Sequence, residues 1–248
     1  MRLVAESDPG GLTIGWVSSP SLPARLVDRP AAEGVLERLA LVGAVQREPV
    51  VFVSCPRTQM GTVADLLRRS GGQEAMALGT PPEGSPGHLV ALRLQVATGV
   101  SLNIVPFPSP AAARQAAQSG HVAAAALAMG DAIEALRDAS LTGLGVAAKK
   151  PSRSFPSIAP VQVAGIDFAA PILRGLALPA GAPEARVAAL RTALQGIVAD
   201  PEFVSAGQES GFQATYLPGD AWAAQLRQDQ AVLSTIWQTT PWTPPVSG

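Results

Sequence analysis

An α/β protein with largely parallel sheets is the fold class this sequence predicts, and three observations carry the prediction. Apolar runs of strand length, many rich in β-branched residues, recur along the chain. Segments with apolar residues at helical spacing fall between them, so strands and helices alternate almost throughout. The 248 residues, 47% of them hydrophobic and 15% charged, suffice for a buried core in one large domain or in two lobes.

The elements follow in order. Gly10–Ser19, GGLTIGWVSS, reads as a buried strand with Trp16 in the core, running into a Ser-Ser-Pro-Ser turn. Leu39–Val45 and Pro49–Pro56 read as two more strands. Met60–Gly71 has the pattern of a helix stopped by glycine. A short strand, AMAL over Ala75–Leu78, leads into a loop over Gly79–His88, and a helix follows over Leu89–Gly99. Leu102–Ala128, LNIVPFPSPAAARQAAQSGHVAAAALA, reads as strand, proline-rich turn, helix, glycine and strand. A helix around Asp131–Asp138 and a strand over Leu141–Ala148 come next. Lys149–Gly165 is polar and proline-rich, which predicts a surface excursion, and Phe168–Gly181 is again extended and apolar. Val187, Leu190, Leu194, Ile197 and Val198 form a helical stripe. Asp200 is placed to cap a further helix that has Pro201 at its first position. After a strand over Phe212–Leu217, Asp220 is placed to cap a last helix. Trp222, Leu226, Val232, Leu233, Ile236 and Trp237 share one face of it, and an irregular tail follows.

Composition removes several function classes. A formal charge of -1, with Lys149 and Lys150 the only lysines, gives no electrostatic reason for nucleic acid or an anionic membrane as partner. Those two lysines read as solvated surface. Cys55 is the only cysteine, so an internal disulfide is excluded, and His88 and His121 add too little for a structural zinc centre. Cys55 reads as a small buried residue, His88 as packed or exposed, and His121 as solvent-facing. No run approaches the ~18 apolar residues of a membrane span. The opening MRLVAESDPGG lacks the basic start and apolar centre of a secretory signal. There is no G-x-S-x-G elbow, phosphate loop or H-E-x-x-H, so the chain does not read as an enzyme and calls for no cofactor.

Binding remains. In α/β sheets ligands sit beyond the carboxyl ends of strands, against helix N-termini. Ser18–Ser21, Gly79–Ser85 and Pro106–Pro110 hold that position. Their residues are small and hydroxylated apart from Phe107 and Glu83, so main-chain N–H groups can approach an anion closely. The candidates are Ser18, Ser19 and Ser21 in the first loop, Thr80 and Ser85 in the second, and Phe107, Ser109 and Ala111 in the third. Each has a structural reading beside the functional one. The serines can close turns, Ser85 can be a plain N-cap, and Phe107 can pack inward.

GSPGHL, GVSLNIVPFPSPAAARQAAQSGHV, RSFPSIAPVQVAG and GLALPAGAPEARVAALRTAL, with VADPEFVSAGQESGF after them, resemble the Bug-type (TctC-like) substrate-binding proteins of tripartite tricarboxylate transport systems. Order and spacing hold from roughly Asp8 to Trp237. The resemblance implies a type II periplasmic-binding-protein fold, two lobes with a cleft between them. It implies capture of a small carboxylate metabolite for membrane transporter subunits, in the periplasm, by a monomer. Chain crossings at VFVSCP and FAAPILRGLAL would put lobe two at 56–172 and lobe one at 1–55 plus 173–248. Two departures bear on binding. The family's signal peptide, first strand and first glycine-rich loop have no match here, so lobe one is expected to be incomplete, with apolar strands partly uncovered. Where the family has VPYKGG, this chain has Val105-Pro106-Phe107-Pro108-Ser109-Pro110. Its prolines donate nothing, leaving the N–H groups of Phe107, Ser109, Ala111 and Ala112. The apolar run HVAAAALAMG predicts a pocket less polar than the family's. The alternative is a diverged or truncated paralogue without ligand affinity, serving as an interaction or sensory module.

Overall fold

The computed structural model describes residues 1–10, 13–71, 76–163 and 165–243. The chain opens with helix α1 (Arg2–Ala5), strand β1 (Gly15–Ser19), helix α2 (Ser21–Asp28), and strands β2 (Leu39–Glu48) and β3 (Val50–Ser54). Strand and helix then alternate: α3 (Val63–Ser70), β4 (Ala77–Thr80), α4 (Pro86–Thr98), β5 (Asn103–Pro106), α5 (Pro110–Ser119), β6 (Ala124–Ala128), α6 (Met129–Arg137) and β7 (Thr142–Val146). A two-strand ribbon, β8 (Gln162–Val163) and β9 (Ile166–Asp167), precedes β10 (Ile172–Pro179). The chain closes with α7 (Glu184–Ala199), α8 (Pro201–Glu209), β11 (Gln213–Pro218) and α9 (Gly219–Thr239).

Local chemistry accounts for most boundaries. Thr62 and Asp65 form a reciprocal capping box at the start of α3. Asp65 accepts from Gly61 and Thr62, which holds its carboxyl down at about 2. Ser85 and Ser109 cap α4 and α5, each with proline at the first helical position. Gly99 and Gly120 end those helices in the left-handed conformation. Asp200 accepts from the Glu202 N–H at 2.7 Å, as its position predicts. Asp220 does not cap α9: the cap position is Pro218 and Asp220 lies in the first turn. The expected strand over Gly10–Ser19 is confined to Gly15–Ser19, with residues 11 and 12 outside the described set. The AMAL strand starts two residues later, with Ala75 outside that set, and the expected Ser-Ser-Pro-Ser turn opens directly into α2. Of the expected irregular tail, 244–248 lie outside the described residues.

The chain forms two compact units. Unit 1 comprises Met1–Arg47, Ile172–Gly207 and Gln213–Gly248. Its sheet runs β1-β10-β2-β11, and the β1–β10 and β2–β11 pairs are antiparallel. Along β10, Leu173 and Ala177 join one core with Val17, Leu22, Trp222 and Leu226. Leu178 joins another with Val42, Val45, Val187 and Leu194. The two-residue period of a strand thus feeds helices on both faces. Trp16 points the other way from the core residues of its strand and is 48% exposed, so its expected core position is corrected. Val232, at 38%, also leaves the expected buried face of α9.

Unit 2 comprises Glu48–Pro171 and Gln208–Phe212. β3 lies inside its sheet, so this unit begins upstream of the boundary expected at residue 56. The order is β5-β4-β6-β3-β7. β4 is parallel to β5 and β6, whereas β3 is antiparallel to β6 and β7. The expectation of largely parallel sheets therefore needs correcting. The crossovers through α4 and α5 join strands that run parallel, but α3 joins β3 to β4 and these run in opposite directions, so alternation of strand and helix does not by itself fix β3's direction. β6 reads Ala-Ala-Ala-Leu-Ala, fully buried through Leu127, and α4 and α5 both pack on it. That apolar run is core and says nothing of pocket polarity, contrary to the expectation. The Lys149–Gly165 excursion is also less superficial than predicted. Ile158 and Val161 are buried, Phe155 packs on the core, and Pro160 bridges to Val146.

Candidate functional site

In unit 2 the parallel pairing of β4 with β5 sets Thr80 opposite Pro106, so two strand ends and the loops after them come together. The Phe107 N–H donates to the Thr80 carbonyl at 2.8 Å and ties the loops directly. Five of the sequence candidates lie on these strand ends and the loops and helix starts after them: Thr80, Ser85, Phe107, Ser109 and Ala111. A Cβ at Gly87 would lie 2.3 Å from the Ala126 carbonyl, so only glycine lets the first turn of α4 sit this close to β6. Phe107 is half-buried and lies over Gly79, packed on the unit's core.

Counting main-chain donors defines what this end can do. Phe107 N–H is spent on Thr80, and Ala112 N–H on the Ser109 Oγ at 3.1 Å. His88 N–H points at the Ser85 Oγ at 3.4 Å. Among the described residues, Gly87, Ser109 and Ala111 N–H have no acceptor. Of the four third-loop donors expected from sequence, two remain. The sequence reading missed Gly87, although Ser85 as a cap and Pro86 as first helical residue point to a free N–H at the next position. The Thr80 hydroxyl is fully buried and has no hydrogen-bond partner among the described residues. A buried hydroxyl left unpaired costs about 1–3 kcal/mol, a cost that a bound acceptor would remove.

The electrostatics are those of dipoles. Neither loop carries Lys or Arg, and Glu83 at the exposed turn is their only ionisable side chain. His88, 5% exposed, has its pKa pushed down to about 4 by burial and is neutral near pH 7. An anion here would meet hydroxyls, free N–H groups and the fields of two helix N-termini, each worth about 0.3–1 kcal/mol.

The remaining three candidates belong to unit 1, where β1 ends at Ser19 and α2 begins at Ser21. Ser19 is fully buried and its hydroxyl donates to Asp229 at 3.3 Å, which leaves it able only to accept. Ser18 and Ser21 are half-buried. α2 has no side-chain cap, and the Ser21 and Leu22 N–H groups have no acceptor among the described residues. Sequence reasoning found these serines but not the helix whose first turn supplies the donors. Among the described residues no group of three or more His, Cys, Asp or Glu could hold a metal ion. Cys55 is buried at the exit of β3, and His121 is exposed beside Ser119. No described helix is long and apolar enough to cross a membrane.

The family model of the tripartite tricarboxylate transporter family receptor matches residues 1–236. Protein BugT of Bordetella pertussis is 28% identical over 159 residues, 63% of this chain and 45% of BugT, so the match spans under half of that relative's length. A ligand-free TctC solute-binding protein from Polaromonas superposes with a TM-score of 0.80 at 22% identity, covering 95% of this chain and 81% of the other. An R. palustris protein with adipate gives a TM-score of 0.78 at 19% identity, over 95% of this chain and 80% of its own.

Proposed function

The chain belongs to the tripartite tricarboxylate transporter receptor family, and from that premise we propose that its unit 2 loops hold the carboxylate of a small metabolite. The family consists of solute-binding proteins, not enzymes. In this reading the protein works outside the cytoplasm and hands its ligand to the membrane subunits of a tripartite tricarboxylate system. A single observation carries the proposal. α4 and α5 begin in the loops that follow the paired strands β4 and β5, and among the described residues the Gly87, Ser109 and Ala111 N–H groups and the buried Thr80 hydroxyl there lack a protein acceptor or partner. Such a set has hydrogen bonds to give and no counter-charge, which suits one carboxylate group held by dipoles. The adipate found with a relative of the same fold supports that ligand class.

The test is a thermal-shift panel of mono- and dicarboxylates, adipate included, on the purified chain. A ligand at a hundredfold excess over Kd stabilises the native state by about 2.7 kcal/mol. A second reading, a module without ligand affinity, draws on the internal engagement of Phe107 and Ala112 N–H. The panel separates the two, since a module gives no shift with any compound.

A further inference from the structure

One ionisable side chain of the unit 2 loops has no part in the carboxylate reading. Glu83 stands at the exposed apex of the loop between β4 and α4. Both feet of that apex are fixed beside the start of α4. A Cβ at Gly87 would lie 2.9 Å from the Pro81 Cδ, so the buried Pro81 rests on the first turn of the helix. On the other side the Ser85 N–H donates to the Pro82 carbonyl at 3.0 Å, and Ser85 caps the helix. Glu83 is two residues from Pro81 and two from Ser85, a reach of at most roughly 7 Å to each, which keeps its charge within about 10 Å of the Gly87 N–H. Neither loop carries a cation to offset it. Its carboxylate takes part in no ion pair or side-chain hydrogen bond among the described residues. The nearest cations along α4 and α5 lie a turn or more inside their helices and are engaged, Arg114 with the Asp131 carbonyl at 2.7 Å and Arg93 with an interaction of its own.

We propose that Glu83 sets the charge of the ligand: the unit 2 loops take a zwitterion, a carboxylate that also carries a cationic nitrogen, in preference to a dicarboxylate. The inference rests on the carboxylate reading and specifies its ligand class. The free N–H groups and the Thr80 hydroxyl serve one carboxylate. With that carboxylate in place, its charge and that of Glu83 already repel each other. A second ligand carboxylate adds to the repulsion, and the fields of the helix starts fade within the first turn and do not reach it. An ammonium in the same place is attracted instead. For a ligand charge about 10 Å from Glu83, the change in affinity is roughly twofold at a dielectric of 80 and roughly 17-fold at 20. Because Glu83 is exposed, the smaller figure sets the least effect to look for.

The probes are three acids of one chain length: adipate, 6-hydroxyhexanoate and 6-aminohexanoate, a dianion, a monoanion and a zwitterion. A fourth, 6-aminohexanol, keeps the ammonium and lacks the carboxylate. Each is titrated calorimetrically into the purified chain at low salt. The expected order of affinity is zwitterion, monoanion, dianion, with about twofold or more between successive members. Glu83→Gln should collapse that order, weakening 6-aminohexanoate and strengthening adipate relative to 6-hydroxyhexanoate. If adipate binds the wild type as tightly as 6-aminohexanoate does, or if Glu83→Gln leaves the order unchanged, the proposal is overturned while the carboxylate reading stands. Binding of 6-aminohexanol as tight as that of 6-aminohexanoate overturns both, since no carboxylate is then being held. Silence from all four probes also overturns both.

Discussion

Replacing Ala111 by aspartate sets helix stability against anion binding at a single atom position. Ala111 is the second residue of α5, is exposed, and offers an N–H without an acceptor among the described residues. A carboxylate in the first turn of a helix stabilises it by about 0.3–1 kcal/mol, so Ala111→Asp should unfold at the same urea concentration as wild type or a slightly higher one. Binding goes the other way. A ligand carboxylate on the Ser109 and Ala111 N–H groups would lie about 5 Å from the new charge, a repulsion of about 0.8 kcal/mol at a dielectric of 80 and about 3 kcal/mol at 20. Affinity should fall roughly 4-fold to 100-fold, and salt should recover part of the loss. Ala111→Asn is the control of equal size and no charge. Calorimetric titration with the strongest compound of the carboxylate panel measures the difference. If the aspartate and asparagine variants bind equally well, the loop is only a connector between β5 and α5.

Three further outcomes follow from particular contacts. Thr80→Val should leave stability unchanged or raise it by about 1 kcal/mol, since a buried hydroxyl without a partner is removed, while carboxylate affinity falls about fivefold; a loss of stability in urea unfolding with unchanged affinity would contradict this. His88 has a native pKa of about 4 against 6.5 unperturbed, so the unfolded chain binds the extra proton between those values. Its stabilising effect is complete above pH 6.5 and lost as pH falls towards 4, by up to about 3 kcal/mol, and His88→Gln should flatten that slope in pH-dependent urea unfolding. Parallel slopes in the two proteins would refute the assignment. Asp28, buried, accepts from the Trp242 Nε1 at 2.8 Å and from Arg25 at 3.1 Å. Asp28→Ala should cost about 2–4 kcal/mol and distinctly less when Trp242 is already phenylalanine; equal costs in both backgrounds would mean that the hydrogen bond contributes nothing.

The candidate site was legible in the sequence to the extent that it rests on local rules. Ser85 before Pro86, and Ser109 before Pro110, mark helix starts by spacing alone. The loops after β4 and β5 were named because small and hydroxylated residues followed apolar runs. The same rules failed at α2, whose start at Ser21 follows a proline cap with no side-chain signal. They failed again at Trp16 and in the Lys149–Gly165 excursion, where the face a residue presents depends on what packs against it.

By itself the sequence determined many helix ends, those of α3 and α5 among them, and most strand segments, because capping and periodicity act over three or four neighbouring residues. Its ordered motifs also pointed to the receptor family. Only the tertiary structure decided which donors are left over. Phe107 N–H is consumed because β5 lies beside β4, and the Ser19 hydroxyl donates its hydrogen bond to Asp229, 210 residues away in the chain. The direction of β3 was likewise settled by its partners β6 and β7. A hydrogen bond closes only when two groups meet in space, and spacing along the chain carries no record of such a meeting once the partners belong to different elements.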